Sequence, residues 1–162
     1  MEHFIVALDD TPGSLKSIHY LNRTLKGVKH VQLTLFHVLD TASPNLLKKE
    51  EVRRIERIHE EQPHLSGYFW TAENEQRMLD TFHQARLLLL EGGFPEEQIR
   101  THYSVQFAEV AQVILNEAKA LQCSTIVLGR RGLGRVKEFF LGSVSNTVTK
   151  FARNMTVWVV DD

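Results

Sequence analysis

Apolar and polar positions recur along this 162-residue chain in two periods, and the switches between them divide it into strands and helices. Residues 4–8 form a short continuous apolar run, as expected of a strand covered on both faces. Asp9-Asp10-Thr11-Pro12-Gly13-Ser14 ends it with turn and helix-start residues. Leu15, Ile18, Leu21 and Leu25 then share one helical face, and Gly27 closes that helix. Residues 31–39 read as a second strand, with Val31, Leu33, Leu35 and His37 on one face and Gln32, Thr34, Phe36 and Val38 on the other.

Residues 46–61 are charge-dense, with Val52, Ile55 and Ile58 as a thin apolar stripe and Glu50 and Arg54 spaced to pair along an exposed helix. Pro63-His-Leu-Ser-Gly67-Tyr-Phe-Trp70 interrupts that pattern, and one or two of its three aromatics are expected to tuck against the core. A longer helix over 72–90 keeps Met78, Phe82, Ala85 and Leu89 in register before Gly92-Gly93 stops it. Residues 99–105 alternate, as an edge or half-exposed strand does. A helix over 109–121 turns Val110, Ile114, Ala118 and Leu121 inward. The apolar run 124–128 is a buried strand, residues 143–153 carry Val144, Val148, Phe151 and Ala152 at helical spacing, and Thr156-Val-Trp-Val-Val160 is the last strand.

Strands alternating with helices predict an α/β fold: a three-layer sandwich around a five-stranded parallel sheet, with right-handed crossovers and a single domain over residues 1–162. A Rossmann-like, flavodoxin-like order 3-2-1-4-5 fits best, because it puts the alternating third strand at an edge and the apolar first strand centrally. The chain then reverses between the first and fourth strands, and the crevice beyond their carboxyl ends is where such sheets take ligands.

Composition narrows the function classes. Nineteen basic against twenty acidic residues argue against a broad nucleic-acid surface. Eight histidines are scattered without metal-ligand spacing. Cys123 is the only cysteine, which suits a reducing compartment and a packed rather than nucleophilic role. With neither a secretory pattern at the start nor an apolar run long enough for a bilayer, the expected location is cytoplasmic, away from membranes.

The chemistry gathers in Gly129-Arg-Arg-Gly132-Leu-Gly134-Arg-Val-Lys-Glu-Phe-Phe-Leu-Gly142-Ser143, between the fourth strand and a helix start. Glycines let the main chain approach a phosphate closely, and a helix start offers unpaired N–H groups with a partial positive charge. Candidate phosphate donors are the N–H groups around Gly132 and those of Gly142, Ser143, Val144 and Ser145, with Arg130, Arg131, Arg135 and Lys137 supplying charge. The stretch lacks the Gly-Lys-Ser/Thr end of a P-loop, and its glycines are too widely spaced for the dinucleotide fingerprint. Asp9, at the end of the first strand, can accept hydrogen bonds from two ribose hydroxyls, or it can cap the helix that follows, a role open equally to Asp10. Val38 and Leu128 can wall an adenine ring, although apolar strand residues need no ligand to explain them. Backbone near Ala7 and Val38 can read the base edge. No carboxylate pair or His–carboxylate arrangement is placed to activate water, and Glu138 reads as solvated, so no catalytic residue is assigned.

Glycine, two residues, glycine, nine residues, glycine-serine is the spacing carried by ATP-binding members of the universal stress protein family, which this chain resembles over its length. Ile5-Val-Ala-Leu-Asp9, Leu33-Thr-Leu-Phe-His-Val38, Thr125-Ile-Val-Leu-Gly129, Gly142-Ser143-Val144-Ser145 and Thr156-Val-Trp-Val-Val160 carry the likeness. The resemblance implies ATP as ligand, with a magnesium or manganese ion on its phosphates. Asp9 would hold the ribose and Ala7, Val38 and Leu128 would surround the adenine. Gly129, Arg131, Gly132, Gly142, Ser143, Val144 and Ser145 would hold the phosphates. It also implies a homodimer through Thr156, Val157, Val159 and Val160 of the last strand, and a stress-response regulatory role with slow hydrolysis at most. The alternative is a nucleotide-independent homodimeric interaction module, its unknown protein partner met by the aromatic segment and charged helix. Val105-Gln-Phe-Ala-Glu109 departs from the family in lacking the glycine often found after the third strand.

Overall fold

Five parallel strands form one sheet in the order β3-β2-β1-β4-β5: β1 (Glu2–Ala7), β2 (Val31–Leu39), β3 (Ile99–Val105), β4 (Thr125–Gly129) and β5 (Thr156–Val160). The structure, a computed structural model, describes residues 1–130 and 141–161. β1 runs beside β2 from Glu2↔Val31 to Ala7↔Phe36 and beside β4 from Phe4↔Thr125 to Val6↔Val127, which makes it the central strand. Its continuous apolar run follows from cover on both faces. β3 is an edge, as expected, but burial does not alternate along it: Arg100 and Thr101 are both exposed and Ser104 and Val105 both buried.

Among the described residues five α-helices complete the layers: α1 (Leu15–Leu25), α2 (Lys49–Glu61), α3 (Ala72–Glu91), α4 (Val110–Ala120) and α5 (Ser143–Phe151). Two apolar clusters lie on opposite faces of the sheet. One joins Phe4, Val6, Leu33 and Leu35 to Ile18 and Leu21 of α1, Ile55 of α2 and the Met78, Phe82, Ala85 and Leu89 stripe of α3. The other joins Ile5, Phe36, Ile126 and Leu128 to Val113, Ile114 and Ala118 of α4 and Val148 of α5. The period-two alternation of β1, β2 and β4 thus feeds both layers.

Several local expectations need correction. α2 starts at Lys49 rather than near Leu46, because the Glu51 carboxylate takes the Lys48 N–H and fixes the first turn there. Leu46 sits instead in a short 3-10 turn and is 82% exposed. Arg54 pairs with Glu75 of α3 at 2.5 Å, not with Glu50 along its own helix. Phe151 is 53% exposed, with the Lys150 ammonium over its ring. Val144, Val148 and Ala152 carry the inward stripe by steps of four, whereas a step of three from Val148 leaves Phe151 about 60° off it.

All three aromatics of the segment pack on the core, where one or two were expected. Trp70 is fully buried, and Tyr68 and Phe69 pack half-buried against the same cluster. The Trp70 indole N–H donates to Glu75, the carboxylate that also holds Arg54. The Phe69 carbonyl accepts the Ala42 N–H, which ties the segment to the chain leaving β2.

Gly92 follows α3 with an ordinary φ of −70°, so its need for glycine is steric. A Cβ there would stand 2.2 Å from Oδ1 of Asn22, whose Nδ2 donates to the Leu88 carbonyl at 2.7 Å and links α1 to α3. Gly92→Ala must displace that amide and is expected to cost about 1–3 kcal/mol by denaturant unfolding. The loss should shrink when Asn22 is also replaced by alanine. Cys123 is buried and its thiol is pushed up to about 11 by burial, consistent with a packing role.

Candidate functional site

The carboxyl ends of β1, β2 and β4 open into a cavity of about 700 Å³. It lies where the sheet order reverses, the place such sheets leave a crevice because successive crossovers go to opposite faces. Its lining is divided by the sheet. Ala7, Phe36, Val38 and Leu128 border it with Val110 and Ile114 of α4 and Val144 of α5, all from the α4/α5 layer. Leu8, Asp10, His37 and Leu39 border the opposite side, with Asn74 and Arg77 of α3. Asp9 and Ser14 stand between, and Gly129, Gly142, Ser143 and Ser145 form the third wall.

Ala7, Asp9, Val38, Leu128, Gly129, Gly142, Ser143, Val144 and Ser145 therefore meet at one cavity, although they come from four stretches of sequence. Arg131 and Gly132, together with Arg135, Lys137 and Glu138, lie outside the described residues. Asp9 serves its own turn with one oxygen: Oδ1 accepts from the N–H of Thr11 at 3.0 Å and from its hydroxyl. Its backbone N–H donates to Ser14 Oγ. Among the described residues Oδ2 has no partner, so the turn and a ligand can share this carboxylate. Asp10 is not a helix cap. It forms an ion pair with Arg77 Nε at 3.4 Å, across the rim.

The α5 start also differs from expectation in one donor. The Gly142 N–H is spent on the Arg130 carbonyl at 2.8 Å and is not available to a phosphate. Ser143, Val144 and Ser145 are the first three residues of the helix, and their N–H groups have no carbonyl four residues back inside it. The Ser145 hydroxyl donates to the Gly129 carbonyl at 2.7 Å and fastens the helix to the strand end. An anion entering here meets three aligned amide donors and the positive end of the helix dipole.

His37 is a lining residue that the motif search missed. A carbonyl only accepts, so its 2.9 Å contact with the Leu8 oxygen puts the proton on Nδ1 and leaves Nε2 as the acceptor. Burial lowers its pKa below the ordinary 6.5, opposed by the Leu8 bond and by Asp10, Asp9 and Asp40. His3 is lowered the same way by burial, opposed by its bond to the Leu121 carbonyl, with Arg100 lowering it further. Both rings are thus neutral in the folded protein at neutral pH, while in the unfolded chain they protonate near 6.5. Folding stability is expected to fall as pH drops below about 6.5 toward the lower folded values. Melting temperatures between pH 7.5 and 5 check this, and His37→Gln should flatten the decline.

Val110 and Ile114 were expected to face inward, so their place in the cavity was within reach of the pattern. Asp40 was also within reach, by the same strand-end rule that picks out Asp9. Asn74 and Arg77 carry no local signal, since α3 reaches the rim only through its packing on the sheet.

A doubly wound parallel sheet with a ligand crevice at its switch point, walled by a glycine-preceded helix start, defines the class. The chain belongs to the universal stress protein family, whose pattern it matches over residues 1–160. Among solved structures it is similar to a universal stress protein in complex with cAMP: 14% identity over 99% of this chain and 97% of that one, TM-score 0.66. It is also similar to the Archaeoglobus fulgidus universal stress protein in complex with dAMP, with 16% identity, 99% and 98% coverage and TM-score 0.58. An Arabidopsis thaliana family protein with AMP bound shows 15% identity, 99% and 91% coverage and TM-score 0.61. At these identities the likeness establishes the fold. No curated protein sequence matches the chain.

Proposed function

We propose that the protein binds ATP and serves as a nucleotide-responsive regulatory module in a stress response, hydrolysing the nucleotide slowly at most. The observation that carries this reading is the convergence of an apolar slot, a half-free carboxylate and a helix start on one cavity. An adenine ring fits between Val38 and Leu128 over Ala7, with Val110 and Ile114 behind it. The sugar reaches the open oxygen of Asp9. The phosphates lie against Gly129 and the amides of Ser143, Val144 and Ser145, with Arg131 and Gly132 assigned to them on the family pattern. The related proteins with cAMP, dAMP and AMP support an adenine nucleotide as the ligand class.

A magnesium or manganese ion would travel with the triphosphate. Among the described residues no group of three or more His, Cys, Asp or Glu side chains is placed to hold a metal, so phosphate oxygens and water would supply its ligands. The proposal extends to a homodimer through β5, whose outer edge is unpaired in the sheet. Thr156 is exposed there and Val157 and Val159 are half-buried, whereas Val160 is buried and would contribute backbone only. No helix of the described residues is long and apolar enough to cross a membrane.

Small molecules released by denaturing freshly purified protein, identified by mass spectrometry, test the reading. Adenine nucleotide in near-stoichiometric amount, or saturable ATP binding with magnesium by the emptied protein, is the expected result. Absence of both, with capture of a protein partner, would favour the nucleotide-independent module.

A further inference from the structure

A basic row on α1 and a cleft beside it play no part in the nucleotide reading. Residues 11–30 hold four of the nineteen Lys and Arg side chains and none of the twenty acidic ones. Lys16, His19, Arg23 and Lys26 are all exposed. At about 100° per residue they fall within about 80° of one another, on a line about 15 Å long. The opposite face of α1 is spent on the core through Ile18 and Leu21. Lys29 follows in the loop and is exposed too, and Lys16, Lys26 and Lys29 form no ion pair among the described residues. The cleft, of about 330 Å³, is bordered by Tyr20, Arg23, Trp158, Val159, Val160 and Asp161. It shares no lining residue with the nucleotide cavity. Trp158 stands edge-on to Tyr20 at 5.7 Å between centroids, and the Arg23 guanidinium lies over the Tyr20 ring at 5.5 Å. Arg23 belongs to both features and joins the row to the cleft.

Charge and shape together select the occupant. Beyond residues 11–30 the acidic residues outnumber Lys and Arg by twenty to fifteen. A long polyanion or a bilayer that runs past the row therefore meets a net negative chain. A nucleobase, which needs an open ring face, finds Tyr20 covered by Arg23 and met edge-on by Trp158. A short acidic segment with one apolar side chain suits both features. Its carboxylates reach Lys16, Lys26 and Lys29, and the apolar group enters the cleft against Tyr20 and Trp158. We propose that α1 and this cleft form a docking surface for a short acidic peptide segment of a protein partner, anchored by one apolar side chain. The charges set approach and register, and the buried anchor supplies most of the affinity. The surface stands whether or not the nucleotide reading does.

Fluorescence anisotropy of the full chain with the labelled peptide Glu-Glu-Glu-Leu-Glu-Glu-Glu, about 24 Å long when extended, tests the surface at low salt. Saturable binding is expected, and it should weaken as salt is raised. Lys16→Glu combined with Lys26→Glu should cost at least about tenfold in affinity, and Lys29→Glu, outside the helix, at least about threefold. Replacing the peptide's leucine by alanine should cost at least about threefold. Thermal unfolding of each variant confirms that the affinities describe folded protein. Absence of saturable binding overturns the proposal, as does binding indifferent to the lysine substitutions or to the leucine. Tighter binding of a single-stranded oligonucleotide or of phosphatidylglycerol vesicles assigns the row to another class of partner and also overturns it. So does peptide binding that is lost as the protein's own dimer forms in sedimentation velocity, which gives the cleft to a second copy.

Discussion

Ser143→Glu is expected to lower ATP affinity by about a hundredfold or more while leaving the fold intact or slightly firmer. Ser143 is exposed and is the first residue of α5. A carboxylate at that position interacts favourably with the helix dipole, by about 0.3–1 kcal/mol. The same carboxylate occupies the field intended for the phosphates and repels them at short range, where a hundredfold loss corresponds to about 2.7 kcal/mol. The two effects have opposite signs, so binding and stability separate in a single variant. Titration with ATP and magnesium, beside a thermal melt, reads both. Retained affinity would show that the phosphates do not lie at the start of α5.

Trp70→Ala is expected to be the most destabilising single change, at about 3–5 kcal/mol. Trp70 is fully buried, edge-on to Tyr103 at 6.4 Å and to His59 at 6.3 Å between centroids. Its removal leaves a cavity and also deprives Glu75 of the indole N–H, so the carboxylate that secures Arg54 loses one of its two donors. A drop of roughly 6–20 °C in melting temperature follows for a chain of this size. Trp70→Phe keeps most of the apolar volume and should lose less, the residue of the effect measuring the Glu75 contact. Chemical denaturation of the three proteins at one pH checks the ordering.

Much of the scaffold was legible because its signals are local. The two-residue alternation of β2 sends Leu33 and Leu35 to one layer and Phe36 and Val38 to the other, as the structure has them. β3 mixes polar and apolar residues as an edge does, and β1 is apolar from Phe4 to Ala7 because it is central. That contrast favoured, among known orders, the one the sheet has. The strand-end rule brings Asp9 and Gly129 to one place, and both line the same cavity. What sequence could not carry is pairing set by packing between distant elements. Arg54 has Glu50 one turn away but meets Glu75 across two helices. Asp10 has the composition of a cap, yet Arg77 reaches it from α3. The N–H of Gly142 looked like a phosphate donor because nothing local shows that Arg130 claims it. Phe151 has the apolar character of its neighbours but lies off the stripe of Val144, Val148 and Ala152 that meets the core.

The two contacts that bind the end of β4 to the beginning of α5 have a wider consequence. Gly142 N–H to the Arg130 carbonyl and Ser145 hydroxyl to the Gly129 carbonyl close the chain on itself at this point. Strand end and helix start are thereby tied directly to each other. Lengthening, shortening or recharging the connection should then retune which ligand is favoured at little expense to the scaffold, since closure entropy varies only slowly with length. Recognition and architecture become separable here, and descendants of one fold can diverge in what they sense while folding alike.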